Sequence, residues 1–551
     1  MSGQATPRAS SRWLQVAWLG ALALQSGCAH QAAPNLPAAD LLLRGGTVYD
    51  GSQAPPRVTD VVIAGERIVY IGDDALQRYH ATRVLAVGGA IVAPGFIDPH
   101  THADSYIRSD DPQARLNAPW LHQGVTTLFI GSDGLGTPDV ADQAQWFQDH
   151  AVGTNLALLV GFGAVRERVL GDDAAAPTAA QLQQMRDLVA GAMCQGAFGL
   201  SSGLFYAPQS FASTDEVVAV AREAAIRGGL YDTHQRDESS YGLGLLGSTR
   251  EVLEIGRRAA IPVHFSHIKA LGMDVHGQAG EVIALIEQAQ ARGQRVSADQ
   301  YPWLASGTSI GAALLPRWAV DGGRPALLAH LDDAASRQRI RDEMSLNLQR
   351  RGGAGAILMI GRGFEWTGKT LAEMAVAWNV DDVGAALRII ADGGLRGGAG
   401  ASARGGERIA SFNMRQDDVN LFMQQPWVIT GSDGSNGHPR QYASFPKKYA
   451  DYVVRDRVIT LGEFIHRSTG LSADLMGLRD RGYLREGLQA DVVVFDPQRY
   501  APRADYLDPV QLSVGVDYLL VNGQLAIDAG QMTGVAAGRM LRHQAPAGTC
   551  L

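Results

Sequence analysis

Residues 94–104 read Pro-Gly-Phe-Ile-Asp-Pro-His-Thr-His-Ala-Asp, and an apolar run, residues 90–93, leads into them. A run of this composition predicts a buried strand, so His100 and His102 are expected where that strand ends. Residues i and i+2 of an extended chain point to the same side, which lets both imidazoles bind one metal ion. Two hydrogen-bonded histidines remain the alternative explanation of the bare His-x-His pair.

Strands and helices alternate through the middle of the chain. Helical stretches such as 214–227 and 248–259 lie between the candidate strands, which are residues 126–130, 156–160, 196–200, 229–233, 263–267, 295–298 and 427–430. This order predicts an α/β fold with a parallel sheet, most simply a TIM-like (β/α)8 barrel over residues 93–481. In such barrels the reactive groups lie at the carboxyl ends of the strands.

Four further polar side chains follow predicted strands. They are Asp133, His234, His267 and Asp433. Because the carboxyl ends of parallel strands share one edge, we expect these side chains close to His100.

Both ends of the chain are rich in short strands separated by turns. Residues 40–92 and 482–545 share this pattern of short strands and turns, which predicts one small β-sandwich domain built from both termini. Residues 332–351 are charged and helix-prone, and we interpret them as a helical insertion. The Gly/Arg/Ala-rich residues 394–406 have two open interpretations, a loop that closes over the barrel mouth and a disordered spacer.

The composition argues for a small substrate. The 551 residues include 46% hydrophobic residues, enough for a large core, and carry a formal net charge of -8. A negative charge without a dense Lys/Arg cluster argues against nucleic acid as a partner. The oligomeric state stays open.

The amino terminus has the features of an export signal. Arg8 and Arg12 precede the apolar residues 13–24, which are too few to span a bilayer, and Ser26-Gly27-Cys28 follow. Ser-Gly-Cys resembles a bacterial lipoprotein box, although Gln25 stands where leucine is usual. We expect residues 1–28 to be a signal peptide of lipoprotein type, with an ordinary cleaved signal as the alternative.

This export prediction has two consequences. Lipidation of Cys28 would attach the protein to a membrane, so we expect a periplasmic enzyme or an outer-membrane-anchored lipoprotein. The other cysteines, Cys194 and Cys550, lie in a predicted helix and at the carboxyl end. We therefore predict no disulfide framework.

Residues 94–104 and seven later segments resemble one family, the N-acyl-D-amino-acid deacylases, or D-aminoacylases, of the metal-dependent amidohydrolase superfamily. The resemblance runs from about Asp40 to Arg542. The later segments are residues 123–127, 196–204, 233–238, 266–269, 298–302, 431–434 and 438–440. Many motifs in one order are more specific than any single motif.

The resemblance implies a metal centre. His234 and His267 would form the tighter zinc site, and His100 and His102 the first, weaker one, so one or two zinc ions are expected. Neutral imidazoles suit zinc, and an open coordination position leaves room for a water whose pKa falls to about 7.

The resemblance also implies the reaction. The family hydrolyses the amide of N-acyl-D-amino acids to a carboxylate and a free D-amino acid. Asp433 would be the catalytic acid/base, and Lys269, Arg440 and Tyr206 would hold the substrate. Arginine grips a carboxylate with two hydrogen bonds, and lysine supplies a point charge. Packing with a backbone hydrogen bond is the open alternative for Tyr206.

Two positions depart from the family pattern. Asp133 stands where the family usually has a cysteine ligand, and we predict that its carboxylate bridges the metals, with a turn-capping role as the alternative. Phe162 stands where many relatives carry histidine, and it can neither bind metal nor transfer a proton.

Three other functions also match parts of the sequence. Residues 199–203 match the Gly-x-Ser-x-Gly nucleophile elbow, but this leaves four histidines unexplained. A non-catalytic binding lipoprotein would be expected to lose Asp433 or several ligands. A related activity on cyclic amides or dipeptides is the nearer alternative, and the retention of both Lys269 and Arg440 favours substrates with a free carboxylate.

Overall fold

The computed structural model describes residues 36–395 and 405–550. The predicted signal peptide with Cys28 lies outside the described residues, as do residues 396–404 of the glycine-rich stretch. No helix within the described ranges is both long and apolar enough to cross a membrane.

The described strands, numbered in chain order, run from the amino-terminal region to residue 532. They are β1 Ala38–Val48, β2 Arg57–Ala64, β3 Arg67–Ile71, β4 His80–Ala86, β5 Ile91–Pro94, β6 Phe96–Asp98, β7 Val125–Ile130, β8 Asn155–Leu158, β9 Val160–Gly161, β10 Gly199–Gly203, β11 Leu230–His234, β12 Val263–Phe265, β13 Val296–Gln300, β14 Ala305–Ser309, β15 Ile357–Met359, β16 Arg408–Phe412, β17 Val428–Thr430, β18 Val492–Phe495, β19 Val516–Val521, β20 Gln524–Asp528 and β21 Gln531–Met532.

Helices lie between the strands, and hydroxyl and carboxylate side chains cap several of them. Thr178, Thr370 and Thr460 each begin a helix with a reciprocal capping box. The longer helices are Val140–Asp149, Phe162–Leu170, Ala179–Cys194, Thr214–Ile226, Gly244–Ala259, Ala279–Ala291, Gly323–Asp332, Ala334–Arg350, Leu371–Trp378, Asp382–Ile390, Gln416–Met423, Arg440–Lys447, Leu461–Ser468 and Gly470–Met476, with a π-helix at Lys448–Arg455.

The predicted alternation of parallel strands and helices is confirmed, but the strands do not pair as one closed barrel. They form two parallel sheets, in the orders β6-β7-β8 and β9-β10-β11-β12-β13-β17. A few backbone hydrogen bonds connect the sheet edges. One runs from Phe198 N to Leu158 O (2.8 Å), and two join the other edge, from Asp433 N to His100 O (3.0 Å) and from His102 N to Gly434 O (2.9 Å). Asp433 has a φ of 48°, a conformation that ends extended pairing just where its side chain turns inward.

Strands from both chain ends form one nine-stranded sheet, in the order β21-β20-β19-β18-β5-β1-β2-β3 with β4 paired to β1. We predicted a sandwich, and the strand pairing shows a single sheet. Its central strands are buried on both faces because Val92 and Val494 pack in one apolar core while Ala93 and Val493 pack in another, shared with the helices and parallel strands. Gly95 alone separates β5 from β6, so this sheet leads directly into the His-x-His segment.

The insertion is larger than the predicted helix. The helix Ala334–Arg350 is present, but it belongs to a unit that begins at β14 and ends at β16. In this unit β14, β16 and β15 form an antiparallel sheet, and helices pack on it around a separate apolar core that includes Ile310, Ile340, Met374 and Ile389.

The prediction that Cys194 and Cys550 stay unpaired is wrong. They form a disulfide, with their Cα atoms 5.6 Å apart. The carboxyl-terminal segment returns along the parallel strands, where His543 N donates to Gly196 O (2.9 Å), and this path brings Cys550 to the end of the helix Ala179–Cys194. A separation of 356 residues along the chain hides this contact from sequence patterns.

A buried polar cluster joins the terminal sheet to β8. Asp491 accepts hydrogen bonds from Asn522 N (2.7 Å) and Asn155 Nδ2 (3.1 Å), and Arg481 pairs with the same carboxylate. The Arg481 and Asp491 side chains are each only 2% exposed. A buried carboxylate that loses its cation is strongly destabilising.

We expect Arg481→Met to lower the free energy of unfolding by about 3–5 kcal/mol, because it leaves Asp491 buried without a counter-ion. Arg499→Met is the matched control, since Arg499 is 59% exposed where it pairs with Asp496 and Asp517. That control should cost at most about 1 kcal/mol. Chemical denaturation of both variants measures the difference, and equal losses would contradict the assigned role of the cluster.

Candidate metal centre and active site

The predicted site residues meet at the carboxyl ends of the parallel strands. His100 and His102 follow β6, Asp133 follows β7, and His267 follows β12. His234 ends β11 and Asp433 follows β17. A cavity of about 650 Å³ opens above these strand ends.

Three of these residues leave their strands in a left-handed backbone conformation. The φ angles are 56° at Asp133, 38° at His267 and 48° at Asp433. Such angles are unfavourable for residues other than glycine and are concentrated at functional sites. Here they turn the side chains from the sheet toward the cavity.

The carboxylate of Asp133 lies between the two pairs of histidines. Its Oδ1 is 3.5 Å from His100 Nε2 and 3.7 Å from His267 Nε2, and its Oδ2 is 3.4 Å from His102 Nε2 and 3.9 Å from His234 Nδ1. This is the position that a bridging ligand would occupy. The alternative, a turn-capping role, does not account for four imidazoles around one carboxylate.

The donor set fits a metal ion. Among the described residues, ligand atoms lie within 4.8 Å of one another in four groups of side chains, His100–His102–Asp433, His100–Asp133–His267, His234–Glu238–His267 and His100–Asp232–Asp299. Both ring nitrogens of His100 and Oδ1 of Asp133 are buried without a hydrogen-bond partner. Buried polar atoms without partners are rare, and a metal ion would satisfy them.

The charges in the cluster also favour a cation. Burial lowers the pKa of His100 and of His234 to about 4, which keeps both imidazoles neutral, as metal ligands must be. Burial acts in the same direction on His102, but the carboxylates of Asp133 and Asp433 outweigh it and raise the pKa of His102 to about 9. The negative charges of Asp133 and Asp433 thus stabilise positive charge within the cluster.

Glu238 belongs to the cluster and was missed in the sequence. Its Oε2 is 3.7 Å from His234 Nε2, and its Oε1 is 3.3 Å from His267 Nδ1 and 2.7 Å from Lys269 Nζ. Glu238 stands four residues after His234, within the segment 233–238 that carries the family resemblance. The spacing of four residues between His234 and Glu238 was the sequence signal that could have identified this residue.

Asp433 lies between the histidines and a cation. Its Oδ1 is 3.3 Å from His102 Nε2 and its Oδ2 is 2.7 Å from Arg440 Nη1. Burial favours the neutral acid, but the charges of Arg440 and His267 outweigh burial and hold the pKa of Asp433 well below its usual range. Asp433 is therefore an ionised carboxylate that can accept a proton.

The three predicted substrate-binding residues line the cavity. Lys269 Nζ is engaged by Glu238 Oε1 (2.7 Å), His267 Nδ1 (2.6 Å) and His267 O (2.9 Å). Arg440 has its Nε buried without a hydrogen-bond partner. The ring of Tyr206 lies 4.9 Å from that of His234, and burial raises the pKa of its phenol well above the usual value.

Two other sequence signals have structural roles. The ring nitrogens of His264 contact Ser297 Oγ (2.8 Å) and Asp299 Oδ2 (3.2 Å), so this histidine is hydrogen-bonded in the core. Ser201, in the Gly-x-Ser-x-Gly segment, donates to Gly131 O (2.5 Å) and accepts from Gly134 N (3.1 Å). A buried serine bonded to backbone in this way is not a nucleophile.

Comparisons of the sequence and of the structure with known proteins agree on the same family. The model of the amidohydrolase family matches residues 83–527. The chain is similar to the D-aminoacylase of Alcaligenes xylosoxydans xylosoxydans, with 32% identity over 92% of this chain and 98% of that protein. It is similar to the N-acyl-D-aspartate deacylase of the same organism, with 32% identity over 90% of this chain and 93% of the relative.

A solved structure matches over the same range. It is the N-acyl-D-glutamate deacylase of Bordetella bronchiseptica, complexed with zinc and a phosphonate inhibitor. The TM-score is 0.76 at 29% identity, covering 92% of this chain and 100% of that one.

Changes to residues that contact a metal ligand typically weaken metal binding about 10- to 100-fold. We expect His267→Asn, which removes a ligand itself, to weaken zinc affinity more than this. His264→Asn is the matched control, three residues earlier and within β12, because Ser297 and Asp299 already occupy both nitrogens of His264. Elemental analysis after dialysis against graded chelator measures both variants. An equal loss of zinc in the two would remove His267 from the metal centre.

Proposed function

This chain belongs to the amidohydrolase family, in the branch of the N-acyl-D-amino-acid deacylases, and on that basis we propose that it is a zinc-dependent deacylase of N-acyl-D-amino acids. It is thus a hydrolase acting on carbon–nitrogen bonds other than peptide bonds, and its products would be a carboxylate and a free D-amino acid. The observation that carries this proposal is the ionised Asp433, held between His102 and Arg440 at the base of a cavity lined by the metal-binding residues.

The metal would be held by residues from four strand ends. His234 and His267 form one pair of ligands and His100 and His102 the other, with Asp133 between the pairs. Nitrogen and carboxylate ligands of this kind suit zinc, and the bridging position is compatible with one ion or two. A zinc ion bound there would supply Lewis acidity, lowering the pKa of a water molecule and polarising the scissile carbonyl.

Asp433 would move the proton. Its low pKa means that it is ionised when the substrate arrives, so a carboxylate oxygen can take the proton released as water attacks the amide carbon. The same oxygen then delivers that proton to the amide nitrogen as the carbon–nitrogen bond breaks. Arg440 stabilises the ionised form before the proton is taken and after it is delivered, and it orients the carboxylate through Oδ2.

Arg440, Lys269 and Tyr206 would bind the substrate beside Asp433. The unpartnered Nε of Arg440 supports a role in gripping the free carboxylate of the amino acid. Lys269 contributes positive charge, with its ammonium group fixed by Glu238. Tyr206 lines the same cavity. Its side chain contacts that of Thr308, and its ring lies 4.9 Å from the ring of His234.

The domain organisation that we propose follows the predicted boundaries. Residues 93–481 would act as one barrel-like catalytic domain, since the edges of the two parallel sheets are connected by hydrogen bonds on both sides. Residues 40–92 and 482–545 would form the small β domain, which the pairing of β5 with β18 supports.

We also propose that the protein is exported, with Cys28 lipidated. The Cys194–Cys550 disulfide supports this, because disulfides persist in oxidising compartments such as the periplasm. The enzyme would then work in the periplasm or anchored to the outer membrane.

The deciding experiment measures hydrolysis of matched N-acetyl-D- and N-acetyl-L-amino acids by protein lacking residues 1–28. We expect D-selective turnover that chelation abolishes and added zinc restores. Asp433→Asn should retain zinc but lose about 100- to 10,000-fold in kcat, because the proton transfer is lost. Full activity in that variant would overturn the role of Asp433. Absence of turnover with zinc bound would point to cyclic amides or dipeptides instead.

Cell fractionation tests the lipid anchor. We expect the full-length protein in the membrane fraction and Cys28→Ser in the soluble fraction or retained with an uncleaved signal. The Cys194→Ser variant is the control for general effects of losing a cysteine and should remain membrane-bound. A Cys28→Ser variant with both the distribution and the processed mass of the unmodified protein would exclude lipidation at Cys28.

A further inference from the structure

The cavity contains more positive charge than one carboxylate requires. Besides the histidines, four lysine and arginine side chains line it, namely Lys269, Arg351, Arg408 and Arg440. Lys269 and Arg440 are paired with carboxylates inside the cavity, at 2.7 Å from Glu238 and 2.7 Å from Asp433 respectively. The two other arginines have no carboxylate within 4.0 Å among the residues that the structure describes.

Arg351 has a structural partner. Its Nε donates to Tyr241 Oη at 2.7 Å, and its guanidinium lies 5.8 Å from the centre of the same ring. Arg351 thereby fixes the end of the helix Ala334–Arg350 against the barrel-like part of the chain. This contact accounts for the position of Arg351, and its Nη1, like Nε of Arg408, is buried without a hydrogen-bond partner.

Arg408 has no comparable partner. It begins β16, opposite Ser309 of β14, and its only side-chain hydrogen bond within the described ranges is from Nη2 to Ser435 Oγ (2.6 Å). Its Nε is buried without a hydrogen-bond partner. Burial and the neighbouring charge of Arg440 lower the pKa of Arg408, so nothing nearby compensates this cation fully. An arginine placed in this way is costly unless an anion binds it.

Arg408 and Arg440 stand side by side. Ser435 Oγ accepts from Arg408 Nη2 at 2.6 Å and from Arg440 Nη2 at 3.2 Å, so one hydroxyl connects the two guanidinium groups. The other carboxylates that line the cavity, Asp104 and Glu167, form no ion pair with either arginine in the described residues. Two adjacent guanidinium groups facing one cavity match two carboxylates on one small molecule.

We propose that Arg408 binds a second carboxylate of the substrate, so that the preferred substrates are N-acyl-D-amino acids carrying two carboxylates. This inference rests on the proposed deacylase function. In this arrangement Arg440 binds the α-carboxylate. Arg408 binds the second carboxylate through its own Nε and a neighbouring nitrogen of the same guanidinium group. The relatives do not decide this question, since the D-aminoacylase and the N-acyl-D-aspartate deacylase are both 32% identical to the chain.

The second carboxylate has two sources, the amino-acid side chain and the acyl group. Matched substrate pairs distinguish them. N-acetyl-D-glutamate against N-acetyl-D-glutamine tests the side chain, and N-succinyl-D-alanine against N-butanoyl-D-alanine tests the acyl group. In the unmodified enzyme we expect kcat/KM to favour the charged member of one pair by about 10-fold or more, as a charged hydrogen bond in a buried site provides.

Arg408→Gln should abolish that preference while leaving the uncharged member of the pair within a few-fold. Arg408→Lys should retain part of it, because the charge remains but the two-point grip does not. Arg415→Gln is the matched control, since Arg415 is 52% exposed and pairs with Asp417 on the surface, and it should keep the full preference. Zinc content and circular dichroism show that each variant is folded.

Two results would overturn the proposal: no preference in either pair, and a preference that Arg408→Gln leaves unchanged. Failure of the deacylase function is read separately, by calorimetric binding of the members of both pairs when they are not turned over. A preference for the charged member of either pair that depends on Arg408, without any turnover, would keep the binding site and reject deacylation. Equal binding within both pairs together with absent turnover would reject both.

Discussion

The carboxylate of Asp133 is the interaction on which the rest of the site depends. It lies within 4 Å of a nitrogen on each of four histidines, and it comes from a strand between those that carry them. Because it is buried, its charge is not screened by water and acts on every imidazole around it. The parallel strands, their left-handed turns and the surrounding apolar core all serve to hold this one anion among the nitrogens.

The sequence predicted most of this site because the decisive residues directly follow apolar strands. The positions of His234 and Asp433 could be read in this way, and the structure brings them together. Glu238 was missed because it lies beyond its strand, where alternation no longer indicates direction. The disulfide between Cys194 and Cys550 was missed for a different reason, since a contact across 356 residues leaves no local pattern. The closed barrel was predicted from the order of strands and helices, but the amino-acid composition of a strand does not show where its backbone pairing with a neighbouring strand stops.

The insertion determines the shape of the cavity more than the sequence suggested. A charged, helix-prone stretch reads as a surface helix, yet the unit between β14 and β16 has its own core and carries Thr308 and Arg408 into the cavity. The parallel strands and the segments that follow them supply the histidines, Asp433, Lys269 and Arg440, and this unit adds Arg408 to the same cavity. Side chains from parts of the chain with separate cores thus line one cavity.

Gly95, the single residue between β5 and β6, joins the terminal sheet to the first pair of histidines. A side chain there would meet Thr126, since a Cβ atom at Gly95 would lie 2.3 Å from that side chain. The sheet made by the two chain ends and the strand that aims His100 are therefore one continuous, tightly packed piece of backbone. A side chain in place of Gly95 would therefore disturb the terminal sheet and the first pair of histidines together.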